Sequence, residues 1–193
     1  MGQETVGNVD VCKASALSSA SFSVINVFIY IDTESLLKKY PNPSKDQNNP
    51  TGIDHNQGYM FVTGATNVKS QGTGDLEFTA KIGDFISMYA ASSTDNFDDA
   101  VLLYGIKRFS GDNVLSDFTN NVFTRKVPIP SSSSSSVLPA RIVDRDFWSY
   151  DARVQRAGRE GYMVKFALYT RDGNGQISLK GYYCWDPYIN VVN

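Results

Sequence analysis

The single histidine, His55, lies between Asp54 and Asn56. An imidazole titrates near neutrality and can serve as a general base or a metal ligand. A catalytic triad also needs a nucleophile poised by that base, and no Gly-x-Ser-x-Gly elbow or activated cysteine context occurs. The same residues equally describe a packed loop histidine oriented by its Asp54 and Asn56 neighbours. The run Asp95-Asn96-Phe97-Asp98-Asp99 offers a different chemistry. Calcium takes roughly six to eight hard oxygen ligands, and Asp95, Asn96, Asp98 and Asp99 could supply several from one loop. Asp54, Asn56, Asp144 and Asp146 could join them in space. Short Asp/Asn runs are also ordinary turn formers, so a plain turn stays open beside the calcium site.

Two segments carry the mixture that a carbohydrate site needs. A ring face covers the C–H patch of a sugar while carboxylates and amides bond its hydroxyls, and Tyr and Trp combine an apolar body with a polar tip. Trp148 and Tyr150 stand beside Asp146, and Trp185 and Asp186 fall within Tyr182-Tyr183-Cys184-Trp185-Asp186-Pro187-Tyr188. With His55 these make the candidate ligand-binding set: Trp148, Tyr150, Trp185, Asp186 and His55. Alternating aromatics in a strand also build cores, so burial decides between the two. Asp144, Asp146 and Asp186 could pair as glycosidase carboxylates, but no cleft context supports that chemistry. Asp172-x-Asn174-x-Gln176 resembles the start of a calcium loop, yet Tyr183 stands where the bidentate Glu belongs. Gly72-Thr73-Gly74 lacks the rest of any phosphate or dinucleotide fingerprint.

The elements that must position these groups read as β. The chain has 193 residues, enough for one full core and too few for two. Eleven Tyr and eleven Phe favour half-buried pleated surfaces. Eighteen basic residues against twenty acidic ones give a net charge of −2, with the basic residues scattered along the chain. A nucleic-acid binder needs a concentrated positive field, so that class is disfavoured. Cys12 and Cys184 are expected as reduced thiols; paired, they would close nearly the whole chain. Residues 1–20 read as a polar arm with neither the basic start nor the apolar run of a signal peptide. No stretch approaches the ~20 apolar residues of a membrane span. The expectation is a cytoplasmic protein, at least where it is made.

The first strong strand is Ser21–Ile31, with Ile25, Val27, Ile29 and Ile31 on one apolar face. Asp32 or Thr33 caps a short helix ending in Lys38-Lys39, and Pro41 and Pro43 stop it. A long polar segment, 41–58, follows; loops of that length are usually functional or mobile. Strands are expected at Tyr59–Thr63, Asp75–Ile82, Asp84–Ser93, Ala100–Phe109 and Val122–Pro130. Val137–Arg156 reads as one or two short strands and a turn. Tyr162–Thr170 and Gln176–Trp185 flank Asp172-Gly173-Asn174-Gly175, a hairpin turn signal. Ser131 to Ser136 read as a solvent-exposed loop within the domain. Together these predict one all-β domain over 21–193, a two-sheet β-sandwich of Greek-key or jelly-roll type with one short helix.

The run Ile29-Tyr30-Ile31-Asp32-Thr33-Glu34-Ser35-Leu36-Leu37-Lys38-Lys39-Tyr40-Pro41-Asn42-Pro43-Ser44, continued by Asn48-Asn49-Pro50-Thr51-Gly52-Ile53-Asp54-His55, resembles the signature of the bacterial PixA/AidA inclusion-body proteins. Gly58-Tyr59-Met60, Gly83-Asp84-Phe85-Ile86 and Tyr183-Cys184-Trp185-Asp186-Pro187-Tyr188-Ile189 agree with it. The resemblance implies an abundant bacterial protein, stored in some members as cytoplasmic inclusions, with no enzymatic activity and no catalytic residues to carry over. Two functions are then expected to compete. One is a non-enzymatic binding module for glycans, lectin-like and calcium-assisted; the other is a self-assembling storage protein without a small ligand, favoured by the near-zero net charge. Homodimerisation is expected in either case.

Overall fold

The computed structural model describes residues 22–131 and 136–192. The expected N-terminal arm, Cys12 with it, and the centre of the serine run lie outside the described residues. Strand β1 (Val24–Ile31) buries Ile25, Val27, Ile29 and Ile31 completely, as its alternation predicts. Helix α1 (Thr33–Lys39) follows at once. The Asp32 carboxylate accepts the Ser35 N–H at 3.0 Å and the Ser35 hydroxyl at 2.8 Å, capping the helix. Glu34 in the first turn and Lys38 and Lys39 in the last suit the helix dipole.

The remaining strands are β2 (Thr51–Gly52), β3 (Gly58–Thr63), β4 (Thr66–Lys69), β5 (Leu76–Thr79) and β6 (Phe85–Ser92). Then come β7 (Ala100–Gly111), β8 (Thr119–Ile129), β9 (Arg141–Arg153), β10 (Gly158–Arg171), β11 (Ile177–Trp185) and β12 (Tyr188–Val192). They form two sheets, as expected. One has the order β3-β1-β6-β9-β8, with β1 and β6 parallel. The other runs β2-β11-β10-β12-β5-β4, with β7 on the far side of β10. The core lies between them: Ile25, Ile29, Ile86 and Met88 from the first sheet meet Phe78, Val164, Phe166 and Leu168 from the second. Phe166 stacks on Tyr183 at 5.5 Å and meets Trp185 edge-on at 6.0 Å.

The β10–β11 hairpin is present. Its turn is closed by Asp172 N–H to the Gln176 carbonyl at 2.9 Å and by Gly175 N–H to the Asp172 carbonyl at 3.0 Å. Gly175 sits at φ +79, where a side chain would be strained. The Asp172 carboxylate accepts the N–H groups of Asn174 and Gln176, so the residues that resemble a calcium loop build a turn instead. Two readings need correcting. Residues 141–153 form one long strand rather than short strands and a turn, because cross-strand pairing to β8 carries the chain through Asp144 and Asp146. Polar β4 gave no strand signal and exists through its pairing with β5.

One buried carboxylate ties β10 to the loop after β7. Glu160 on β10 is 0% exposed. It accepts the N–H groups of Val114 and Leu115 and the Tyr162 hydroxyl, with the Arg108 guanidinium at 3.5 Å. Two backbone N–H groups of the loop after β7 thus donate to a carboxylate in a strand interior, so neither is left an orphan.

Candidate functional site

Strand β9 changes surroundings along its length. Ala152 and Arg153 pair with β6 alone, Tyr150 and Asp151 with both β6 and β8, and Arg141 to Ser149 with β8 alone. Side chains opposite one another in an antiparallel pair share a face. The inner face of the hairpin thus carries, in order, Tyr150 with Asn120, Trp148 with Val122, Asp146 with Thr124, and Asp144 with Lys126. The Thr124 hydroxyl donates to Asp146 at 2.6 Å, and Lys126 lies 3.3 Å from Asp144.

Where this face leaves the core, the sheets part and open a groove of about 360 Å³. Leu102, Leu103 and Tyr104 of β7 form one wall; Asn120, Val122, Trp148 and Tyr150 form the other. Tyr150 packs on the core by its ring, and burial pushes its phenol above the ordinary value. Tyr104 is pushed up to about 12 by burial, with the neighbouring Cys184 second, and its hydroxyl donates to the Gln47 carbonyl at 2.9 Å. Both phenols are neutral hydrogen-bonding groups, and burial extends that state to higher pH. Trp148 and Tyr150, both expected from sequence, stand together here. The β7 wall carried no sequence signal, because Leu102 to Tyr104 read only as strand.

A second polar corner forms where the long loop meets the end of β11. His55 Nδ1 lies 3.4 Å from Asp75 Oδ1, and Nε2 lies 3.4 Å from Asp186 Oδ1. The structure brings His55 and Asp186 together as a pair and adds Asp75, which the sequence did not single out. Asp75 Oδ1 also accepts the Tyr188 N–H at 2.9 Å. A side chain at Gly74 would strike His55 at 2.6 Å, so the close approach of the loop requires glycine. Beside the corner is a cavity of about 160 Å³ lined by Ser70, Asp75, Leu76, Glu77, Arg159 and Tyr188, with the Arg159 guanidinium 4.2 Å over the Tyr188 ring. The arrangement orients an imidazole between two carboxylates; no hydroxyl or thiol is bonded to His55 Nδ1 among the described residues.

Trp185 departs from the expected binding role. At 2% exposure it is a core residue, held edge-on to Phe166 and against Gly58, so its ring reaches no surface site. The neighbouring Cys184 thiol is pushed up by burial.

The acidic run forms the crossing from β6 to β7. Asp95 and Asn96 adopt left-handed backbone, φ 53 and 58. Asn96 Oδ1 accepts the N–H groups of Ser92 and Val101, both at 2.9 Å, and Thr94 Oγ1 accepts those of Asp98 and Asp99. Asn96 is thereby committed to the turn. The other carboxylates proposed to join this run are elsewhere: Asp54 bonds Lys39, Asp144 pairs with Lys126 and Asp146 with Thr124. Among the described residues, no group of three or more His, Cys, Asp or Glu is placed to hold a metal ion. No described helix is long and apolar enough to cross a membrane.

Comparison with known proteins agrees with this architecture. The sequence pattern of PixA, described as inclusion body protein, matches residues 23–191. A crystal structure of an inclusion body protein from Burkholderia cenocepacia J2315 is similar at a TM-score of 0.77 and 29% identity. The similarity covers 91% of this chain and 99% of that one. None of the curated proteins matches the chain.

Proposed function

The chain belongs to the PixA family of inclusion body proteins, and from that premise we propose that it is a non-enzymatic, lectin-like binding module for glycans. The observation that carries the proposal is the groove between β7 and the β8–β9 hairpin. Trp148 and Tyr150 offer ring faces for sugar C–H patches, and Asn120 offers an amide beside them. Asp146, Thr124, Asp144 and Lys126 continue the same face with hydroxyl-bonding groups, enough for more than one sugar unit. Small-ligand sites are concave and largely apolar with a few polar groups, as this groove is. Calcium assistance would fall to Asp95, Asp98 and Asp99, because Asn96 Oδ1 already serves the turn.

A glycan array of purified protein, run with calcium and again with a chelator, tests this reading. Binding to a coherent sugar set that survives chelation, and is lost in Trp148→Ala, is the expected result. Binding lost on chelation moves the site to the acidic crossing. A blank array in both conditions overturns the glycan reading and leaves storage by self-assembly as the function. That second reading has its own support in the apolar side chains that the hairpin leaves exposed, Val122 at 66% and Ile142 at 59%.

A further inference from the structure

Beyond glycan binding, we propose that the outer edge of β8 pairs antiparallel with β8 of a second copy of this chain, about a two-fold axis at Thr124. The β8–β9 hairpin is an incomplete element. Beyond Tyr150 the hairpin has left β6, so residues 121–129 and 141–149 form a two-stranded ribbon with β8 as the terminal strand of its sheet. Every β8 side chain from Thr119 to Lys126 is exposed. A two-stranded ribbon is marginal in water, and a third strand is the usual remedy. An exposed edge of this length is a template for another strand. Thr119 to Thr124 carry neither charge nor proline, whereas Arg125, Lys126 and Pro128 follow, and the missing Pro128 N–H leaves one ladder bond unmade at each end of a paired edge.

The sequence of β8 limits the register. Pro128 has no N–H, and proline in a sheet points its nitrogen away from the partner strand. Hydrogen-bonding direction alternates along an antiparallel strand, and β8 pairs with β9 without a register shift. Lys126, Thr124 and Val122 therefore turn their backbone groups outward with Pro128. A two-fold axis normal to the sheet keeps each face on its own side, so it must pass through a residue. At Arg125 it would set Arg125 against its own copy, a like-charge contact. At Thr124 it sets Phe123 opposite the partner's Arg125 and Val122 opposite the partner's Lys126, each pair twice.

The outer face is already built for that contact. The Arg125 guanidinium lies 5.1 Å from the Phe123 ring centroid, Arg145 lies 5.5 Å from Phe147, and the two rings stack at 6.1 Å. Pairing would extend this cation–ring ladder across the axis, joining the two five-stranded sheets into one. The glycan groove opens on the inner face, so edge pairing leaves it open and places two grooves in one particle.

Sedimentation equilibrium of the full chain, with Thr124→Pro and Thr124→Cys, tests the interface. Wild type is expected to dimerise. Thr124→Pro removes an outward donor without touching the β9 ladder, and is expected to weaken the dimer about tenfold or more with unchanged circular dichroism. Thr124→Cys is expected to form a disulfide-linked dimer under mild oxidation, because residues facing across an antiparallel pair lie within disulfide reach. A monomeric wild type overturns the proposal. So does a dimer that Thr124→Pro leaves intact, or a Thr124→Cys protein that cross-links no faster than wild type. None of these readouts depends on sugar binding.

Discussion

The two ends of β9 carry the same alternating pattern and meet opposite fates. At one end Ala152, and Val154 just past the strand, are buried against β6 and the loop after β7; at the other Asp144, Asp146 and Ile142 stand in solvent on the same face. The ends differ in partner as well as in cover: β6 pairs with the buried end and β8 with the exposed one, and the two ladders overlap only at Tyr150 and Asp151. A strand that leaves the sandwich with only a hairpin partner, and with no facing sheet, becomes a surface. The groove lies at that transition, with Tyr150 on the core side and Trp148 beyond it.

If this contrast is right, substitutions on the sandwich side should cost folding and those on the hairpin side should cost binding. Trp185→Ala removes a buried ring and should destabilise by about 4 kcal/mol, measured by denaturant unfolding. Glu160→Ala strips the acceptor from Val114, Leu115 and Tyr162 and should cost about 3 kcal/mol. A value near zero for either would break the comparison at its buried end.

Alkaline titration probes both regions at once. Tyr183 and Tyr104 are each pushed up to about 12 by burial. Their folded values lie above the ordinary value of 10, so the folded state holds protons that the unfolded state releases. Stability should stay level with respect to these groups below pH 10 and fall between pH 10 and 12, followed by denaturant midpoints. Smaller again is Asn96→Ala, which frees the Ser92 and Val101 donors and should cost about 1 kcal/mol. Trp148→Ala should shift stability least, by under ~1 kcal/mol, while abolishing glycan binding on the array.

The β-sandwich, the β1 face, the capped helix and the β10–β11 hairpin were all legible because each rests on local chemistry: alternation, an Asp cap, a Gly-containing turn. The same alternation could not say whether Trp148 or Trp185 is the buried one. Both sit in aromatic-rich strands beside an Asp, and only the facing sheet separates them. Asp75 and the β7 wall were missed for the same reason, since nothing near them in sequence marks His55 or Trp148 as neighbours. The acidic run shows the converse limit. Its composition suits a cation, but Asn96 is bonded to Ser92 and Val101, residues outside the run.

The two tryptophans make the groove directly observable. Sugars retained on the array should be titrated while tryptophan emission is followed in wild type, Trp148→Phe and Trp185→Phe. A saturating change in wild type that persists in Trp185→Phe and vanishes in Trp148→Phe is the predicted result. A change that follows Trp185 instead, or binding with no change at Trp148, would contradict the groove as the binding surface.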